Sequence, residues 1–78
     1  MEIKVTEEGR KKIRRVIFTK LHKTQKRFAK EDLDITPFYL SKLLHGKFTI
    51  SPELSGKIVE STGLEFDEIF DYKDEDCG

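Results

Sequence analysis

The stretch Thr36-Pro37-Phe38-Tyr39-Leu40-Ser41-Lys42-Leu43-Leu44-His45-Gly46 carries a helix start signal at one end and a stop signal at the other. A threonine hydroxyl accepts from the free amides of a first helical turn, and proline suits the first helical position, where its missing N–H has no partner to lose. Glycine takes the left-handed conformation that ends a helix. The stretch therefore predicts a short helix capped by Thr36 and stopped at Gly46. On the helical period Leu40, Leu43 and Leu44 form a buried stripe. Pro37, Phe38, Ser41 and Lys42 fall on another side, free to meet something outside the domain.

Upstream, Thr24 can cap a helix from Gln25 to about Asp32 that buries Phe28, Ala29 and Leu33. Asp34 stands where the chain must turn, and aspartate tolerates the left-handed region, though less easily than glycine. Ile35 precedes the Thr36 cap as a hydrophobic staple. Two short helices this close, the second opened by Thr-Pro, form a helix-turn-helix pattern. Earlier still, Thr6 with Glu7 and Glu8 opens a first helix, in which Ile13, Val16, Ile17 and Leu21 recur at helical spacing beneath a basic exterior. Gly9 weakens its first turn. Met1 to Val5 alternate apolar and polar residues, as a short strand or a frayed arm would.

Downstream, Ser51-Pro52-Glu53 repeats the cap-and-proline device for a fourth helix with Leu54, Ile58 and Val59 inward and a stop at Gly63. Phe66, Ile69 and Phe70 then give a last short helix whose apolar side closes the core. Asp71 to Gly78 is highly charged with little to bury, which predicts an acidic disordered tail. The reading is an all-α, compact five-helix bundle: residues 1–5 an arm or short strand, residues 6–70 the domain, residues 71–78 the tail.

Composition sets the outer limits. At 78 residues with 36% hydrophobic content, the chain suits one small domain with a stability margin of only about 5 kcal/mol. No apolar run approaches the roughly 20 residues of a membrane span, and Met1-Glu2-Ile3-Lys4 lacks a signal-peptide core, so a soluble cytoplasmic protein is expected. A lone cysteine, Cys77, excludes an intrachain disulfide or a cysteine zinc site. The formal net charge is zero, but residues 1–30 hold eleven Lys and Arg against three acids, whereas residues 31–78 hold four against twelve. One face can thus attract phosphates while the molecule stays neutral.

Thr24-Gln25, Phe28-Ala29, Ile35-Thr36, Tyr39-Leu40-Ser41-Lys42-Leu43, Gly46-Lys47 and Gly63-Leu64-Glu65-Phe66-Asp67-Glu68-Ile69-Phe70 resemble the helix-turn-helix family of phage Cro and cI repressors, over roughly residues 10 to 70. The resemblance implies a five-helix, lambda-repressor-like domain that inserts helix 36–46 into the major groove of double-stranded operator DNA, acts as a homodimer and regulates transcription. It implies base-reading positions at Pro37, Phe38, Ser41 and Lys42. Phosphate contacts are implied at Gln25, Lys26, Thr36, His45 and Lys47. Candidate dimer surfaces are the arm at Ile3 and Val5, the segment Phe48 to Ile50, and the last helix.

The chain departs from the family pattern at four places. The second helix is one residue longer, Asp34 replaces the usual turn glycine, and Phe18 and Leu44 stand where the family often has an ion pair, which suggests an apolar contact between them. Finally, Pro37 and Phe38 replace hydrogen-bonding readers. Phe38 can press on a thymine methyl and Lys42 can reach guanine O6 and N7, leaving the rest of specificity to DNA shape. Phe38 has two other readings, inward packing and a protein interface.

No catalytic or metal constellation is apparent: His22 and His45 are far apart with no nucleophile beside them, and metal-ligand spacing is absent. Neither a cofactor nor a small-molecule substrate is expected. The alternative from another class is a protein-interaction module on the same scaffold, an antirepressor or antitoxin-like partner, motivated by the acidic half and by Phe38.

Overall fold

The computed structural model describes residues 2–73. Strand β1 (Glu2–Val5) leads into α1 (Glu7–Thr19), and α2 (Gln25–Phe28) runs straight on into a π-helical turn (Ala29–Leu33). Helices α3 (Pro37–Leu44), α4 (Pro52–Thr62) and α5 (Phe66–Ile69) follow, and β2 (Phe70–Lys73) returns antiparallel to β1 with Ile3 opposite Tyr72 and Val5 opposite Phe70. Among the described residues this is a small helical bundle of five helices fastened by one two-stranded sheet.

Helix starts follow from local chemistry. The hydroxyls of Thr6, Thr24, Thr36 and Ser51 accept from the amides of Gly9, Arg27, Tyr39 and Leu54 respectively, at 2.9 to 3.2 Å. Each such cap stabilises its helix by about 1 kcal/mol. At α5 the Glu68 carboxylate accepts from the Glu65 amide at 2.9 Å, reaching back over its own first turn. Gly63 ends α4 in the left-handed region, and Gly46 turns the chain just after α3.

The inward stripes meet in a single core: Ile13 and Ile17 of α1, Phe28, Ala29 and Leu33 of the second helix, Leu40, Leu43 and Leu44 of α3, Ile58 of α4 and Ile69 of α5. Fully burying one such large side chain contributes about 1.5–3 kcal/mol. The sheet adds Ile3, Val5 and Phe70 to this core, and the Ile50 amide donates to the Ile3 carbonyl at 2.8 Å. At the opposite end of β1, the Thr6 amide donates to the Ile69 carbonyl at 3.1 Å. Gly9 lies directly against that backbone, and a Cβ built on it would stand 2.6 Å from the Ile69 Cα.

Several expectations change. The extra residue of the second helix is absorbed as a π turn, which widens the helix by one residue per turn without breaking it; the left-handed Asp34 (φ 55°) then directs the chain toward α3. Helix α1 ends at Thr19, so Leu21 packs on the core from beyond its helix. Asp71, Tyr72 and Lys73, expected in a disordered tail, instead form β2 because β1 offers them a ladder; residues 74–78 of that expectation lie outside the described residues. Ile3, Val5 and Ile50, read as dimer surface, are buried in the chain's own core. The expected contact of Phe18 with Leu44 does not form. Leu44 is buried and Phe18 is 76% exposed, since position 18 follows the buried pair Val16 and Ile17 onto the outer side of α1.

Candidate nucleic-acid interface

Helix α3 offers its leucine stripe to the core and leaves Phe38 standing 73% exposed. Inward packing of Phe38 is therefore excluded. One turn on, the Lys42 ammonium lies over the Phe38 ring, 5.0 Å from its centroid. This is the i, i+4 spacing of neighbours on a helix, and the cation–π attraction holds the long lysine in one place. Pro37 and Ser41 are half-buried beside them. Tyr39 points to the next face and stacks on Phe48 of the following loop, ring centroids 6.4 Å apart, both rings partly exposed.

A second group of side chains comes from three elements. Arg10 of α1 donates from Nη1 to His45 Nδ1 at 3.1 Å, and one helical turn along α1 Arg14 donates from Nε to the Gln25 side-chain oxygen at 3.3 Å. A guanidinium has no acceptor, so both bonds fix their partners. His45 must be the neutral tautomer with its proton on Nε2, and the Gln25 amide must aim its NH2 away from Arg14. Each partner thereby keeps a donor for something else. His45 titrates below the ordinary imidazole range, first because it loses water and then because the Arg10, Arg14, Lys47 and Lys42 charges oppose its protonation. These four cations and His45 thus share one electrostatic neighbourhood.

The ion pairs lie elsewhere. Lys12 meets Glu68, Arg27 meets Glu31, and Lys23 reaches Glu31 and Asp32. Hydrogen bonding to Asp32 raises the Lys23 pKa, and the Arg27 guanidinium lowers that of Glu31. No such pair holds Arg10, Arg14, Lys42 or Lys47 among the described residues. The acids therefore neutralise the outer side of α2 and the α1–α5 contact, and leave the side formed by α1, α3 and the following loop positive.

Of the residues expected at the site, His45 and Gln25 are bonded to Arg10 and Arg14, and the Lys42 and Lys47 charges are near enough to oppose protonation of His45. Thr36 is exposed; its oxygen caps α3, leaving the hydroxyl proton free to donate outward. Lys26 is exposed on α2, and no contact ties it to the cluster. Arg10 and Arg14 were not singled out from the five basic residues of α1, because sequence gives the face but not which part of it meets α2 and α3. Their i, i+4 spacing is shared by Lys11 and Arg15, so spacing alone does not pick them out. Among the described residues no group of three or more His, Cys, Asp or Glu is placed to hold a metal ion, and no helix is long and apolar enough to cross a membrane. Comparison with protein-family models, curated proteins and solved structures finds no match.

Proposed function

We infer that the chain is a sequence-specific DNA-binding transcriptional regulator of the Cro/cI type, with a lambda-repressor-like helix-turn-helix formed by α2, Asp34 to Thr36 and α3. The observation that carries this reading is the unneutralised cluster of Arg10, Arg14, Lys42 and Lys47 around Gln25 and His45, beside a helix whose outward face is otherwise free. Helix α3 enters the major groove. Gln25, Thr36, His45 and Lys47 hold phosphates, and Phe38 and Lys42 address base edges. The chain works as a homodimer, its two α3 helices about 34 Å apart, one turn of DNA. Of the dimer surfaces considered, the exposed ring of Phe48 remains available.

The test is a salt titration of binding to random-sequence duplex followed by selection of preferred sites. Each phosphate neutralised by a lysine or arginine contributes about −0.9 to the slope of log affinity against log salt, so Arg10, Arg14 and Lys47 together give a slope of about −3 per chain. The selected sites should be palindromic. No binding at low salt, or binding indifferent to salt, removes the reading. It would leave the second one, a protein-interaction module of the antirepressor or antitoxin class, favoured by the exposed rings of Phe38, Tyr39 and Phe48.

A further inference from the structure

We propose that Phe38 and Lys42 act as one unit that recognises a two-base step in the major groove: a pyrimidine carrying a C5 methyl group and a guanine adjacent to it on the same strand. The proposal rests on the DNA-binding reading above and adds what the site distinguishes. Two side chains that could each address a base are held to one another, the ammonium 5.0 Å from the centre of an exposed ring. Neighbouring bases along a strand are separated by a rise of about 3.4 Å, so a pair this close spans one step and no more.

The chemistry of each partner selects its base. Lysine is a donor with no acceptor, and guanine alone presents two acceptors, O6 and N7, on one major-groove edge. A phenyl ring donates and accepts nothing in that groove. Its only favourable base contact there is apolar, and the C5 methyl is the apolar group a pyrimidine offers. Thymine carries that methyl always, cytosine only when methylated, and the two are equivalent to the ring. The cation–π contact also fixes Lys42 before DNA arrives, so ordering it costs less on binding. Lys42 has no acidic partner among the described residues that would have to be broken first.

The experiment begins with the duplex most enriched by the wild-type chain from a random library. That duplex, drawn from unmethylated DNA, should contain thymine next to guanine on one strand. Replacing its thymine by uracil deletes only the methyl and should weaken wild-type binding about fourfold, the worth of one buried carbon. Phe38→Ala should bind the thymine and uracil duplexes equally. A cytosine duplex should gain about the same factor on 5-methylation, and whether thymine or 5-methylcytosine binds tighter identifies the natural source. Lys42→Ala should lose about tenfold or more on the selected duplex, much less on random DNA, and become indifferent to 7-deazaguanine. Salt-dependent DNA binding with no response to the methyl, or a Phe38→Ala protein that still discriminates uracil, overturns the proposal and leaves the DNA-binding reading standing. Absence of any retained DNA overturns both.

Discussion

Two glycine-to-alanine substitutions in helices of the same molecule should have opposite signs. Gly56 lies inside α4, exposed, and a Cβ there meets nothing within 4 Å. Gly56→Ala should therefore stabilise the protein by about 0.5–1 kcal/mol through helix propensity alone. Gly9 is equally helical, and the same gain opposes a larger loss. Its new Cβ would stand 2.6 Å from the Ile69 Cα and 2.7 Å from the Ile69 carbonyl carbon, where carbon atoms rest at about 3.5–4.0 Å. These are backbone atoms, so relief requires α5 to retreat by about an ångström. That retreat stretches the Thr6 amide bond to the Ile69 carbonyl, now 3.1 Å, and loosens Ile69 in the core. Overpacking costs about 1–3 kcal/mol and the hydrogen bond about 1, against at most about 1 recovered from propensity. The net loss is about 1–3 kcal/mol, which lowers the melting temperature of a domain this size by roughly 5 to 20 °C. Urea and thermal unfolding of the two variants beside wild type measures it. A Gly9→Ala protein as stable as wild type, with Gly56→Ala behaving as expected, would refute the claim that α1 needs a glycine to reach α5.

Asp34 holds a left-handed φ of 55°, so Asp34→Gly should raise stability by about 0.5–1 kcal/mol in the same unfolding assay; a loss would mean that the aspartate side chain stabilises the turn. Because the Gln25 side chain is held by Arg14 rather than by any base-reading group, Gln25→Ala should weaken binding to all duplexes alike, by about 1 kcal/mol, and, glutamine being uncharged, leave the salt slope as it is. Unchanged affinity would take Gln25 out of the interface. His45 resists protonation in the folded chain, so the unfolded chain binds its proton more readily as pH drops below the ordinary imidazole pKa of about 6.5. The resulting stability is complete above that pH and declines below it. Urea midpoints compared at pH 7.5 and about 5.5 should fall further for wild type than for His45→Gln; equal falls would show that another group is responsible.

The local grammar of the fold was legible and its long-range closures were not. Thr6, Thr24, Thr36 and Ser51 were readable as caps because a cap acts on amides three residues away, and all four accept the expected bond. The leucine stripe of α3 and Phe66 and Ile69 of α5 followed from periodicity for the same reason, whereas Phe70, expected in that same helix, is core as expected but stands as the first residue of β2. Tyr72 was unreadable as a strand residue because its partner, Ile3, lies some seventy residues away in sequence and its own neighbours, Asp71 and Lys73, are charged. The demand for glycine at position 9 is equally tertiary, set by the Ile69 backbone. At the site, the outward placing of Phe38 and Lys42 followed from the helix pattern, whereas Gln25 and His45 were named through the family resemblance. That Arg10 and Arg14, of all the cations on the first helix, reach His45 and Gln25 depends on how α1 lies across α2 and α3. Phe18 shows the same limit in reverse: family correspondence pointed it at Leu44, and the rotation of α1 turns it to solvent.

The antiparallel pairing of residues 2–5 with residues 70–73 also orders events in time. Residues 2–5 are made before every helix and their ladder partner after all of them, so Ile3 and Val5 wait through synthesis of the helices without the strand that pairs with them. The helices, whose contacts are mostly local, can gather early, whereas the sheet must wait for the two ends to meet and is the slow step of folding. A nascent chain stalled before Phe70 would carry β1 without its ladder partner. Stalling there should make it a substrate for chaperones, and pairing of residues 70–73 with β1, once they have emerged, should end that exposure.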